Sequence, residues 1–201
     1  MPAQIGRDWH QSKWIEPAHR LNRPHSIGDS RAAAIYIACV RRSVERTGRR
    51  DVTKLTENFT LAEMVRSQQA LRRGIPNSPG SREVTALRIL CENVLQPVRE
   101  HFGKPVNISS GFRSPRLNRA IGGSGSSQHC LGEAADFIVS GVSNLEVCKW
   151  MERRLNYDQL IYEFGEPGWV HCSFSTNRMR NMELSAMRLG GRVKYLSGLR
   201  A

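Results

Sequence analysis

The 201-residue sequence contains no long apolar run. Its richest stretch, Ala32 to Val40, stops at Arg41 and Arg42, short of the ~20 unbroken apolar residues a membrane-spanning helix needs. No basic stretch leading into an apolar segment and a small-residue cleavage site opens the chain, so no secretory signal is expected. The five cysteines, Cys39, Cys91, Cys130, Cys148 and Cys172, are odd in number and have no C-x-x-C spacing. That argues against both a disulfide framework and a thiolate zinc knuckle, and leaves reduced core thiols as the expectation. Beyond Trp9 and Trp14, basic residues are not interleaved with stacking aromatics, so specific nucleic-acid binding is not expected. There is no internal repeat.

What the chain does have is positive charge. A formal net charge of +12 implies attraction to something anionic, and nucleic acid, teichoic acid, lipopolysaccharide or a capsid partner would all satisfy the sign. Residues 1–54 carry eleven Lys and Arg against five Asp and Glu, and the remainder nineteen against thirteen, so the short first segment holds half the net charge. It reads as a basic N-terminal arm. Asp29 or Ser30 can cap one helix there, running to about Thr47, with Ala33, Ile37, Val40 and Val44 on a stripe expected to pack on the main domain.

Residues 55–201 have the texture of a compact domain. Thr60-Leu-Ala-Glu63 has the form of a capping box and predicts a helix to about Leu71. After a turn-rich break at Gly74, Pro76, Pro79 and Gly80, the spacing of Val84, Leu87, Leu90, Cys91, Val94, Leu95 and Val98 predicts the longest helix, ending near Phe102. Strands are predicted over 106–110, 134–139, 159–164 and 169–174, a helix over 144–155, and an edge strand over 193–196. The segment 112–132 reads as a long loop, and loops of that length are usually functional. The irregular mixture indicates an α+β fold, a small antiparallel sheet flanked by helices.

The chemistry concentrates in Ser126-Ser-Gln-His-Cys-Leu-Gly-Glu-Ala-Ala-Asp-Phe137 and Gly168-Trp-Val-His-Cys-Ser-Phe174. A catalytic zinc takes three protein ligands and keeps one position for water, and two imidazoles with one carboxylate is a frequent set. His129 and Asp136 enclose a stretch of small residues that lets the backbone turn sharply, and His171 can supply the third ligand from a strand. Strand alternation puts Trp169, His171 and Ser173 on one face and Val170, Cys172 and Phe174 on the other, so Cys172 is expected in the core. A fourth-ligand role for Cys130 would close the site, and a buried or half-exposed thiol is expected instead.

The pattern S-x-H-x-x-G-x-A-x-D, preceded by Ser109-Ser-Gly-Phe-Arg-Ser114 and followed by Trp-Val-His, resembles the zinc D-alanyl-D-alanine carboxypeptidase family, whose relatives include phage cell-wall endopeptidases and vancomycin-resistance dipeptidases. The resemblance covers about residues 55–174. It implies Zn2+ held by His129, Asp136 and His171, and a substrate-gripping role for Arg113, whose planar fork suits a carboxylate or peptide oxygen. It also implies that Ser127 and Gln128 orient the first ligand or the substrate. Some relatives carry a glutamate three residues before the last histidine, where this chain has Gly168. The acid–base residue is then Glu163, at the end of a strand, or Glu166, in the following turn; Glu163 is preferred because a strand is the more rigid support.

The resemblance thus implies a zinc peptidase cleaving peptidoglycan stem peptides, as a D-Ala-D-Ala carboxypeptidase or an endolysin-type endopeptidase. The missing signal fits a phage protein that stays cytoplasmic until lysis or is carried in the virion. The alternative is a virion-associated structural protein that keeps the fold, with a vestigial or stabilising metal site and an arm docked on a partner.

Overall fold

The computed structural model describes residues 53–200. The basic arm, apart from its last two residues, and the helix expected within it lie outside the described residues.

The capping box forms as expected: Glu63 N donates to Thr60 Oγ1 at 3.3 Å and Thr60 N donates to Glu63 Oε2 at 2.9 Å. The helix it starts is shorter than expected. Ser67 adopts extended backbone and its hydroxyl accepts from Ala70 N, opening a second helix, so the segment is α1 (Leu61–Val65) followed by α2 (Gln68–Arg73). Gly74, at φ 59°, ends α2.

The longest helical segment runs as α3 (Ser81–Leu90), a π-helical turn (Cys91–Leu95) and α4 (Gln96–Phe102). Pro97 explains the widened turn. It has no N–H to give and its ring crowds the carbonyl four residues back, and letting Gln96 N donate to Cys91 O keeps the helix continuous through this point. Leu87, Leu90, Cys91, Val94, Leu95 and Val98 are all buried, as the periodicity required.

The remaining elements are β1 (Val106–Ser110), α5 (Pro115–Ala120), β2 (Ala134–Val139), α6 (Asn144–Arg154), β3 (Gln159–Glu163), β4 (Trp169–Ser173), β5 (Met182–Leu189) and β6 (Arg192–Ser197). The fold is α+β, with six strands in the order β1-β2-β4-β3-β5-β6. The sheet is mixed rather than purely antiparallel, because β5 runs parallel to β3. The expected loop 112–132 contains α5, capped by Ser114 with Pro115 in its first turn, and a 3-10 turn at Gln128–Leu131. The edge strand at the C-terminus is β6.

Strand β5 was not visible in the sequence. Met-Glu-Leu-Ser-Ala-Met-Arg-Leu consists mainly of good helix formers, and its apolar residues fall on both phases of the alternation, so propensity points away from a strand. Pairing with β3 overrides it. The register is held by Asp158, fully buried just before β3, which accepts from Arg180 Nε at 2.6 Å and Arg180 Nη2 at 2.7 Å, with Arg178 Nη2 at 3.2 Å. Two cations of the basic C-terminal stretch are therefore spent on one carboxylate.

Alternation divides the sheet into two faces. Ala135, Phe137, Val139, Leu160, Tyr162, Val170 and Cys172 join the helix residues Val147, Cys148 and Met151 in the core. The opposite face carries Asp136, His171, Ile161 and Glu163. Cys172 thus lies in the core, one residue from His171 and on the other side of the strand.

Burial raises the Asp158 carboxyl, but the Arg180 hydrogen bonds and the Arg180 and Arg178 charges outweigh it and hold the group below its ordinary value. Arg180→Ala is expected to destabilise the protein by roughly 2 kcal/mol, part of it recovered through Arg178. Because the folded carboxyl is depressed, the difference from wild type is full above about pH 4 and shrinks as the pH falls through the folded pKa. Chemical denaturation of the two proteins from pH 7 down to pH 3 checks both points.

Candidate metal centre

Three elements deliver the candidate metal-binding side chains. Asp136 and His171 sit directly opposite each other on β2 and β4, and the 3-10 turn before β2 brings His129 back over them. Gly132 closes that turn at φ 72°, and a Cβ there would lie 2.5 Å from the Glu83 carbonyl oxygen, so only glycine lets the turn pack against α3. The carbonyl of His129 accepts from Arg113 N at 3.1 Å, which ties the turn to the S-G-F-R-S segment.

His129, Asp136 and His171 each offer one ligand atom, and these atoms lie within 4.8 Å of one another. Asp136 Oδ1 is 2.8 Å from His171 Nδ1 and 3.3 Å from His129 Nε2. Ligands bound at ~2.1 Å around a tetrahedral zinc stand about 3.4 Å apart, so the cluster has nearly the spacing such an ion demands. The donor set of two imidazoles and one carboxylate also fits zinc.

The protonation states fit as well. His129 Nδ1 lies 2.7 Å from the Gly111 carbonyl oxygen, an acceptor only, so Nδ1 carries the proton and Nε2 turns its lone pair into the cluster. Burial holds the His129 imidazole below its ordinary pKa, against the pull of Asp136. Burial raises the Asp136 carboxyl, but its close contacts with the His129 and His171 imidazoles outweigh it and keep it well below the usual carboxylate range. The site thus presents a neutral imidazole and an ionised carboxylate, the forms in which these groups bind metal.

Arg113 is part of this cluster. Its Nη2 donates to Asp136 Oδ2 at 2.5 Å and its Nε to Ser110 Oγ at 2.7 Å. Nη1 has no hydrogen-bond partner among the described residues. The guanidinium therefore holds the outer oxygen of the Asp136 carboxylate and keeps one edge uncommitted.

Ser127 and Gln128 precede the first histidine, but neither side chain bonds to its Nδ1. The acceptor that orients His129 is the Gly111 carbonyl, not either side chain. Gln128 is buried and turned to Glu133, with Nε2 3.4 Å from Oε2, and Ser127 contributes its carbonyl to Cys130 N at 3.0 Å. Both build the turn that carries His129. Gly111 was missed because a backbone carbonyl leaves no mark in the side-chain pattern; the glycine itself is the trace, since a Cβ there would lie 2.4 Å from the Met64 carbonyl oxygen. Ser110, which anchors Arg113, is one residue earlier. Cys130 is half-buried and lies outside the metal cluster.

The two glutamates have separate fates. Glu163 stands two residues along β3 from Ile161, the residue paired with His171. Burial raises its carboxyl above the ordinary value; His171 and Arg113 pull it down and Asp136 pushes it up, so the charges that act on it are those of the cluster. Its carboxylate has no hydrogen bond among the described residues. Glu166, in contrast, caps α6: it accepts from Asn144 N at 2.8 Å, Leu145 N at 3.1 Å and the Tyr162 hydroxyl at 2.9 Å. At position 168 a Cβ would lie 1.7 Å from the Glu163 carbonyl oxygen, so this backbone admits no glutamate three residues before His171.

Fold and site together define a class, an α+β protein with a buried His–Asp–His centre suited to one metal ion on the face of its sheet. Residues 57–173, more than half of the chain, match the family described as Peptidase M15, and the chain belongs to that family. Over 80 residues it is 36% identical to the zinc D-Ala-D-Ala carboxypeptidase of Streptomyces albus G. That stretch is 39% of this chain and 30% of the relative, so the chain spans about 30% of the length of the curated relative it matches.

Glu166→Ala is expected to cost roughly 1 kcal/mol through the lost cap of α6, while leaving metal content unchanged. Denaturation together with metal analysis of the purified variant measures both; loss of the metal would place Glu166 in the centre after all.

Proposed function

We propose that the chain is a zinc-dependent peptidase acting on peptidoglycan stem peptides, with His129, Asp136 and His171 as the ligands of Zn2+. The observation that carries this reading is the convergence of those three ligand atoms beside Arg113, whose Nη1 is uncommitted, and Glu163, whose carboxylate has no hydrogen bond among the described residues. The curated relative supports the substrate class, since its name specifies a D-Ala-D-Ala carboxypeptidase.

Zinc, when bound, supplies Lewis acidity that polarises a carbonyl and lowers the pKa of water. The chain's own residues do the rest. Glu163 takes the proton from the attacking water and delivers it to the leaving amine, a role that suits a carboxylate raised by burial and free of structural hydrogen bonds. Arg113 holds Asp136 in place through Nη2 and offers Nη1 to a substrate carboxylate or peptide oxygen. The Gly111 carbonyl keeps His129 in the ligating tautomer. A terminal carboxylate on the substrate is the natural partner of Arg113, which favours removal of a C-terminal D-alanine over an internal cut.

Metal analysis and turnover on a stem peptide, compared across wild type, His171→Ala and Glu163→Gln, test this. His171→Ala is expected to lose metal and activity together, whereas Glu163→Gln keeps its zinc and loses about 10²–10⁴-fold in kcat. A Glu163→Gln protein as active as wild type would remove Glu163 from the reaction, and a wild type that takes up no zinc would sink the reading as a whole.

A further inference from the structure

Strands β5 and β6 lie beyond residues 57–173, so the family match says nothing of their role. Their register nevertheless brings a side chain to the site. Trp169 pairs with Glu163, Glu163 with Ala186 and Ala186 with Tyr195, so these four residues form one cross-strand row. The neighbouring row on the same face is Asp136, His171, Ile161 and Leu184.

Strands spaced ~4.8 Å apart put the Cα atoms of Glu163 and Tyr195 ~10 Å apart, a gap that a tyrosine ring leaning inward largely spans. Ala186, between them, is fully buried although it carries only a methyl group, so larger side chains close over it. Burial raises the Tyr195 phenol, and the charges of Glu163 and then Asp136 raise it further, so the hydroxyl lies within electrostatic reach of both carboxylates. Yet Tyr195 is 57% exposed, and neither its O–H nor the Glu163 carboxylate has a hydrogen-bond partner among the described residues. The sheet order sets Tyr195 on the side of the site away from Arg113, which sits by β1 and β2.

On the reading of this site as a peptidase centre, we propose that Tyr195 is a substrate-binding residue whose phenol O–H donates to a backbone carbonyl of the bound peptide upstream of the cleaved bond. The polarity follows from charge. A phenol that shares its cross-strand row with the Glu163 carboxylate is a poor place for an anionic chain end but a good one for a neutral carbonyl, while Arg113 on the other side attracts the terminal carboxylate. The peptide then crosses β4, β3 and β5 with its C-terminus towards Arg113 and its upstream residues against Tyr195, and the hairpin beyond the family match sets the preference for longer stem peptides.

The experiment compares wild type and Tyr195→Phe on a stem pentapeptide ending in D-Ala-D-Ala and on the short N-acetyl-D-Ala-D-Ala. KM is measured on the zinc-loaded proteins and Kd by calorimetry on the metal-free ones. Loss of one peptide hydrogen bond is expected to raise both constants about fivefold for the pentapeptide, with the short substrate, zinc content and Tm unchanged. Constants within twofold of wild type on the pentapeptide, or an equal loss on both substrates, overturn the assignment. A wild type that cleaves neither peptide overturns the peptidase reading beneath it.

Discussion

One buried carboxylate carries the site. An ionised Asp136 that is only 5% exposed would cost several kcal/mol if left unpaired, and it is tolerated because the Arg113 guanidinium pairs with it and the two imidazoles surround it. Arg113 occupies Oδ2, while His171 and His129 converge on Oδ1. Each of these side chains is held by something further out: Arg113 by Ser110, His129 by the Gly111 carbonyl, and His171 by its place in the register opposite Asp136. The geometry a metal needs is thus largely built by the requirement to compensate one charge. Asp136, His129 and His171 would hold a metal ion, while Arg113 stays paired with the outer oxygen.

The second constraint is the pleat. Because successive side chains of a strand point to opposite faces, β4 alternates between chemistry and core, and His171 and Cys172 can be neighbours in sequence while facing metal and hydrocarbon. The same rule lets Glu163 share the His171 face while Tyr162 packs in the core. Past the end of β3 the rule no longer applies. Glu166 therefore turns to the nearest free N–H groups, those of α6, and becomes a helix cap.

The mixed sheet has a consequence for the cleft. A purely antiparallel sheet ending at β3 would leave Glu163 on an exposed edge. The return of the chain past Asp158 places β5 beside β3 and β6 beyond it, so that Glu163 lies inside the sheet and its carboxyl is raised by burial. The arginines of the C-terminal stretch, which in the sequence contribute only to a net charge, thereby help set the environment of the candidate base.

Much of this was legible in the sequence, for a definite reason. Helix periodicity at Leu87, Leu90, Val94 and Val98, the capping box at Thr60 and the alternation around His171 are local patterns, and local sterics and hydrogen bonding enforce them wherever the chain goes. The cluster of His129, Asp136 and His171 was legible as a candidate metal centre because spacing and residue type survive in one dimension. What only the tertiary structure decided depends on partners distant in sequence: β5, whose residues favour a helix until β3 offers it an edge; the Gly111 carbonyl, which has no side chain to announce it; and the separation of Glu163 from Glu166, which rests on which of them meets the N-terminus of α6. Hydrogen-bond donors and charges choose among nearby candidates by position in space, and that position is set by the packing of the whole sheet.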